Sequence, residues 1–138
     1  MSEFIWPVRV YYEDTDSGGV VYHSNYLNFM ERARTEWLRH LQLEQDQLIR
    51  NYDLIFVVRS VNIDFLKPAL FNEALQVLTT IKKLARASVV FEQKIIREVD
   101  QQILTRAEVK IASISMINKK PMAIPPNLHQ LFKSQETV

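Results

Sequence analysis

Cysteine is absent from the 138-residue chain, which excludes a disulfide scaffold, a Cys-based zinc site and a thiol nucleophile. Charge of one sign is lacking as well: 17 Lys and Arg against 16 Asp and Glu leave a formal net charge of +1. That balance offers no general field to draw the chain onto nucleic acid or a membrane surface. No stretch approaches the roughly 18 consecutive apolar residues of a membrane span. Residues 1–7 have neither the basic start nor the long apolar core of a signal peptide. A cytoplasmic protein is the expectation. Glycine is nearly missing too, with only Gly18 and Gly19, side by side. What remains is 47% hydrophobic and 24% charged, an ordinary globular composition able to bury about two-thirds of its unfolded surface. No repeat, low-complexity tract or linker interrupts it, so residues 1–138 read as one domain.

Periodicity divides the chain. Residues 5–12 read as a strand with Val8, Val10 and Tyr12 on one face and Arg9 on the other. A polar loop, Glu13 to Gly19, follows, and Ser24 and Asn25 are candidate N-caps for a helix. Tyr26, Phe29, Met30, Ala33, Trp37 and Leu41 then recur at steps of three and four, predicting a helix of about five turns, roughly 27 Å long. A shorter helical piece is expected over 44–51. Alternating residues predict strands over 55–65, around Leu75 to Ile81, around Val89 to Ile95, and over 103–117. In the last of these the apolar parity changes at Ile114 and Met116, which predicts a bulge near Ala112 and Ser113. Leu128, Leu131 and Phe132 mark a short final helix. Successive long strands with short turns imply an antiparallel sheet. The fold class is therefore α+β, a five-stranded antiparallel sheet wrapped around one long central helix. Strands such as 55–66 and 88–99 would leave hydrophobic edges exposed.

The loop before the helix is the part composition does not explain. Glu13, Asp14 and Asp16 lie within four positions, and the only two glycines follow at once. Paired glycines permit positive φ and close approach by a partner. The helix that begins shortly after presents unpaired N–H groups at its start. A carboxylate beside donors able to hold an oxyanion is a layout for acyl transfer. The competing reading is a solvated acidic turn next to a helix dipole. A metal site is disfavoured: no second acid-rich loop completes a hard-cation shell, and the spacing departs from calcium-loop patterns. His23 reads either as a capping or packing histidine or as a polar group of an active site, histidine being the side chain that surroundings can tune near neutral pH. His40 and His129 receive no functional role. No serine sits in a nucleophile elbow.

The run from Val8 to Tyr26, which includes Tyr12-Glu13-Asp14-Thr15-Asp16-Ser17-Gly18-Gly19-Val20-Val21-Tyr22-His23, continues through Glu31-Arg32-Ala33-Arg34-Thr35-Glu36. It resembles the hot-dog-fold acyl-CoA thioesterases, specifically the YbgC type associated with the bacterial Tol–Pal system within the 4-hydroxybenzoyl-CoA thioesterase family. The resemblance extends over the whole chain, including Phe56-Val57-Val58-Arg59 and Lys120-Pro121. It implies hydrolysis of acyl-CoA or acyl-carrier-protein thioesters, with no metal and no cofactor, CoA being part of the substrate. Asp16 matches the catalytic carboxylate, as nucleophile or as general base for water. The His23 backbone N–H matches the group that polarises the thioester carbonyl. The side chains of Tyr12 and His23 match accompanying positions, with orientation and proton handling as their roles. Arg86 matches an arginine that binds CoA phosphates, and Lys82 and Lys83 lie near it in sequence. Two departures stand out: relatives often carry Gly where Arg86 stands, and Ser17 replaces a common Ala.

The resemblance further implies a homodimer with a continuous sheet, often paired into a homotetramer, with active sites between subunits. It implies a cytoplasmic location, with peripheral association at the inner membrane as an extension. Two alternatives remain open at this point. One is a hot-dog hydratase using His23 and Glu31; the other is a non-catalytic acyl-carrier or envelope-linked binding protein.

Overall fold

A computed structural model of the chain describes residues 3–136. Its strands are β1 (Phe4–Arg9), β2 (Leu54–Phe65), β3 (Ala74–Leu84), β4 (Ser88–Arg97) and β5 (Ile103–Ser115). Its helices are α1 (His23–His40), α2 (Gln45–Tyr52) and α3 (Pro126–Lys133). The strands form one antiparallel sheet in the order β1-β3-β4-β5-β2. Alternation in sequence becomes alternation in burial: Leu75, Val77, Thr79 and Ile81 of β3 and Val89, Phe91, Gln93 and Ile95 of β4 are buried, with half-buried residues alternating between them. The apolar side chains among them meet the stripe of α1 made by Tyr26, Phe29, Met30, Ala33, Trp37 and Leu38. Trp37 packs edge-on to Phe91 at 5.1 Å, and Phe132 of α3 closes on it at 5.2 Å.

Four local expectations change. β1 stops at Arg9, and Tyr12 leaves the strand for a tight helical turn over Tyr12–Asp14, because the Asp14 carboxylate accepts the Tyr11 N–H at 2.9 Å. α1 begins at His23, with Tyr22 as its cap and no capping side chain. Asn25 instead donates to the Asp14 carbonyl at 2.9 Å, so its amide ties helix to loop. The bulge lies on β2, where Arg59 is the extra residue between Val58 and Ser60. In β5, Ala107, Val109, Ile111, Ser113 and Ser115 are buried on one unbroken parity, and Met116 lies past the strand end. Further register shifts fall at Lys82 of β3 and at Leu104 of β5; such extra residues bend and twist a strand, which lets the sheet curl over α1. Finally, β4 is interior, so the edges are β1 and β2.

One buried amide fixes how α1 sits on the sheet. Gln93 of β4 is fully buried; its Nε2 donates to the Met30 carbonyl of α1 at 3.1 Å and to Thr79 Oγ1 at 2.9 Å. Its Oε1 accepts from Arg34 Nη1 at 2.9 Å. Removing one partner of buried hydrogen bonds costs about 1–3 kcal/mol, because the groups left behind have lost water without replacement. Gln93→Leu is therefore expected to lower the urea unfolding free energy by that amount. Gln130→Leu on the exposed side of α3 should stay within about 0.5 kcal/mol. Equal effects at the two positions would deny the tie.

Candidate active site

The loop between β1 and α1 is held by backbone ladders on both sides. The Val10 N–H donates to the Glu73 carbonyl at 3.0 Å, and the Asn72 N–H donates to the Val10 carbonyl at 2.9 Å. Thr15 then bridges Val21, the Asp16 N–H donates to the Val20 carbonyl at 3.0 Å, and the Tyr22 N–H donates to the Asp14 carbonyl at 2.9 Å. Asp14, Thr15 and Asp16 thus lie alongside Tyr22, Val21 and Val20, the residues that lead into α1. The turn between them is made by the glycines. The Gly19 N–H closes onto the Asp16 carbonyl at 3.0 Å, and Gly19 sits at φ +80°. The Gly18 N–H donates to Asp16 Oδ1 at 2.8 Å, an Asx turn that orients the carboxylate. A Cβ on Gly18 would meet that oxygen at 3.2 Å.

Asp16 is exposed, and among the described residues only its Oδ1 has a protein donor. The start of α1 has no capping side chain, so the His23 N–H keeps the orphan character of a first-turn donor. The His23 ring rests on Tyr22 at 4.4 Å and edge-on to Phe65 at 6.3 Å. It borders a shallow depression shared with Tyr26, Phe65 and Pro68. Tyr26 anchors that floor: its hydroxyl accepts the Ala69 N–H at 3.0 Å, and burial raises its pKa above the ordinary phenol value, with Glu73 pushing the same way. Tyr12 behaves differently. It is 80% exposed and its ring meets Phe71 edge-on at 6.0 Å, so the turn brings it to Phe71 and not against the His23 ring. Among the described residues, no three His, Asp or Glu side chains converge as a metal-ligand set.

The sequence model of the thioesterase superfamily matches residues 18–104. The chain belongs to the thioesterase superfamily. This thioesterase is 43% identical over 129 residues to the acyl-CoA thioesterase YbgC of Haemophilus influenzae, covering 94% of this chain and 93% of that protein. It is 37% identical over 133 residues to the acyl-CoA thioesterase YbgC of Helicobacter pylori, covering 91% and 97%. Among solved structures, a 1,4-dihydroxy-2-naphthoyl-CoA thioesterase from Synechocystis superposes with a TM-score of 0.88 at 26% identity, covering 96% of each chain. The architecture is the hot-dog fold of these thioesterases.

The three cations named from the sequence do not converge on Asp16 within the chain of this thioesterase. Arg9 pairs with Ala74 at the start of β3, and the Asp16 loop follows β1 at that end. Lys82, Lys83 and Arg86 lie at or beyond the other end of β3, roughly 30 Å away at about 3.3 Å per residue. Lys82 is ion-paired with Glu108, and that hydrogen bond, with its charge, holds the amine above its ordinary pKa. Arg86 is exposed and lines an open groove with His129 and Lys133 of α3. Periodicity gave His129 no role, since nothing local joins α3 to the β3–β4 turn; the contact is made by the Ile124 N–H donating to the Arg86 carbonyl at 2.9 Å.

Gly19 is the loop position that a side chain cannot occupy freely. An L-residue in the left-handed region costs about 1–2 kcal/mol. Gly19→Ala should lose that much stability in chemical denaturation although nothing lies near its Cβ. A wild-type midpoint would show that the turn does not need positive φ.

Proposed function

We propose that this protein hydrolyses the thioester of acyl-CoA to a free acid and CoA, with Asp16 supplying the carboxylate and the His23 N–H the oxyanion donor. One observation carries the reading: a carboxylate oriented by the Gly18 N–H, with its second oxygen without a protein donor among the described residues, is laddered beside an uncapped helix start. The relatives' names support the acyl-CoA class, with acyl-carrier protein as the second carrier this chemistry admits.

Either of two routes balances. As a base, Asp16 takes a proton from water while the hydroxyl oxygen bonds to the carbonyl carbon. As a nucleophile, it bonds to that carbon itself, and water then cleaves the mixed anhydride. In both, the carbonyl oxygen gains charge facing the His23 N–H, the C–S bond breaks, and the thiolate leaves and picks up a proton. A thiolate leaves readily, so holding the oxyanion and activating one oxygen suffices. The His23 imidazole and the Tyr12 phenol are assigned orientation and proton handling at this site, and no cofactor enters the scheme.

A second copy of the chain completes the site in this reading. The outer edge of β2 is long and carries exposed Val58, Val61 and Phe65, whereas β1 is short and contains Pro7. Pairing two β2 edges about a two-fold axis runs them antiparallel, so the Leu54 end of one faces the Phe65 end of the other. His23 accompanies Phe65. Arg86 accompanies the opposite end, since Ala112 pairs with both Val57 and Ser88. The partner's cations thereby approach the Asp16 loop, and Arg86, Lys82 and Lys83 are proposed to meet CoA phosphates across that junction. A dimer of such dimers is the further expectation. None of the described helices is long and apolar enough to cross a membrane. A cytoplasmic location, with peripheral attachment at the inner membrane, accompanies the proposal.

Asp16→Asn keeps size and much of the hydrogen bonding but removes base and nucleophile. It should lower kcat on acyl-CoA by about 10²–10⁴-fold, the usual contribution of a positioned acid–base group, while Asp14→Asn loses far less. Folded Asp16→Asn with near-normal turnover would end this mechanism. Assembly is checked separately by light scattering at micromolar concentration. A dimer or tetramer is expected for the wild type, Val61→Lys should shift it toward monomer, and a monomeric wild type overturns the edge-pairing argument.

A further inference from the structure

The segment that carries Asp16 is fastened less firmly than the segment it pairs with. Val20 bridges Leu70, and the Val21 N–H donates to the Ala69 carbonyl at 2.9 Å, so the returning half is tied to the chain between β2 and β3. Among the described residues, the backbone bonds of Asp14–Asp16 stay within residues 11–22. A two-stranded ribbon of this kind is marginal by itself in water and twists more than a wider sheet. Something else must hold the carboxylate at a constant distance from the start of α1.

One side chain of α1 reaches across. Asn25, half-buried in the first turn, donates from Nδ2 to the Asp14 carbonyl at 2.9 Å. The same carbonyl accepts the Tyr22 N–H at 2.9 Å, so its two lone pairs serve the chain entering α1 and α1 itself. Asn25 Oδ1 accepts from Asn28 Nδ2 at 3.0 Å, which settles the end of the amide that faces the loop. Among the described residues, no other side-chain hydrogen bond joins α1 to residues 12–19. Asp16 lies two residues past Asp14, roughly 7 Å along extended backbone. His23 lies two residues before Asn25, roughly 3 Å along the helix axis. The bond therefore sits between the carboxylate and the oxyanion donor, close to both.

We propose that Asn25 is a positioning residue for the hydrolysis: acting through the Asp14 carbonyl, its amide sets how the Asp16 carboxylate stands relative to the His23 N–H. This rests on the reading that those two groups act on the thioester. Gln93 fixes α1 on the sheet but leaves the Asp16 segment able to pivot about its ladder bond to Tyr22. The Asn25 amide removes that pivot. The stake is large, because a misplacement near 1 Å between reacting groups can cost about 10²-fold in rate.

Asn25→Leu keeps the approximate size and removes the amide. On acyl-CoA it should lower kcat about 10- to 100-fold with KM within about twofold, the split expected of a group felt in the transition state. Ser24→Ala, at the exposed neighbouring position, should keep the wild-type kcat. In an Asp16→Asn background, Asn25→Leu should change kcat by less than about twofold, since no carboxylate remains to be aimed. A merely structural loss would lower both backgrounds alike. Where Asn25→Leu lacks a native circular dichroism spectrum, Asn25→Ala replaces it. Amide hydrogen exchange reads the tie without turnover: the Tyr22 N–H should exchange several-fold faster in the Asn25 variant, with the amides of β4 unchanged. Unchanged kcat in the folded variant, equal falls in both backgrounds, or an unchanged Tyr22 exchange rate overturns the positioning role and leaves the hydrolysis reading standing. Near-normal turnover by Asp16→Asn sinks the hydrolysis reading, and the role of Asn25 with it.

Discussion

Trp37, Phe29 and Ala33 can leave water only where β3, β4 and β5 present Ile81, Phe91 and Val109 to them, and that burial lays α1 across the sheet. Hydrophobic contact is non-directional, so by itself it would let the helix slide. The Gln93 amide removes that freedom by bonding the Met30 carbonyl and the Arg34 guanidinium from the sheet side. With α1 fixed in position, its first turn is fixed too. In the proposed mechanism this gives the His23 N–H the constant position that an oxyanion donor needs if reorganisation is not to add to the barrier.

The candidate site itself draws little on the core. Asp16, Tyr12 and His23 are all exposed, and their placement comes from backbone ladders linking Asp14–Asp16 to Val20–Tyr22 and Val21 to Ala69. Two buried residues transmit the core's rigidity to it: Val10, bonded to Asn72 and Glu73, and Tyr26, bonded to Ala69. This division suits a site that must admit a large, charged substrate. The carboxylate stays open to solvent, while the segments that aim it are pinned below.

The two edges of the sheet are treated differently. Pro7 lacks an N–H and interrupts donation along β1, a usual way to blunt an edge. β2 has no proline and exposes three large apolar side chains. Phe56 of the same strand, with Arg34 of α1, lines a pocket between helix and sheet, so that pocket lies close to the β2 edge.

By itself the sequence determined the long helix, the four long strands after it and the acidic loop with its paired glycines. Each of these rests on local physics: a stripe at steps of three and four, alternation at steps of two, and the φ of +80° that only glycine adopts cheaply. The family resemblance was readable for the same reason, since it is carried by one contiguous run. Tertiary structure alone decided the rest. Strand order depends on pairings between distant residues, so β4 proved interior and β2 an edge. The bulge moved to Arg59 because register is a property of two strands and not of one. Ser24 and Asn25 both looked like caps, but the Asp14 carbonyl, brought up by the folded loop, took the Asn25 amide. Arg86 and the Asp16 loop lie at opposite ends of β3, a separation within one chain that only the strand's pairing with β1 and β4 reveals.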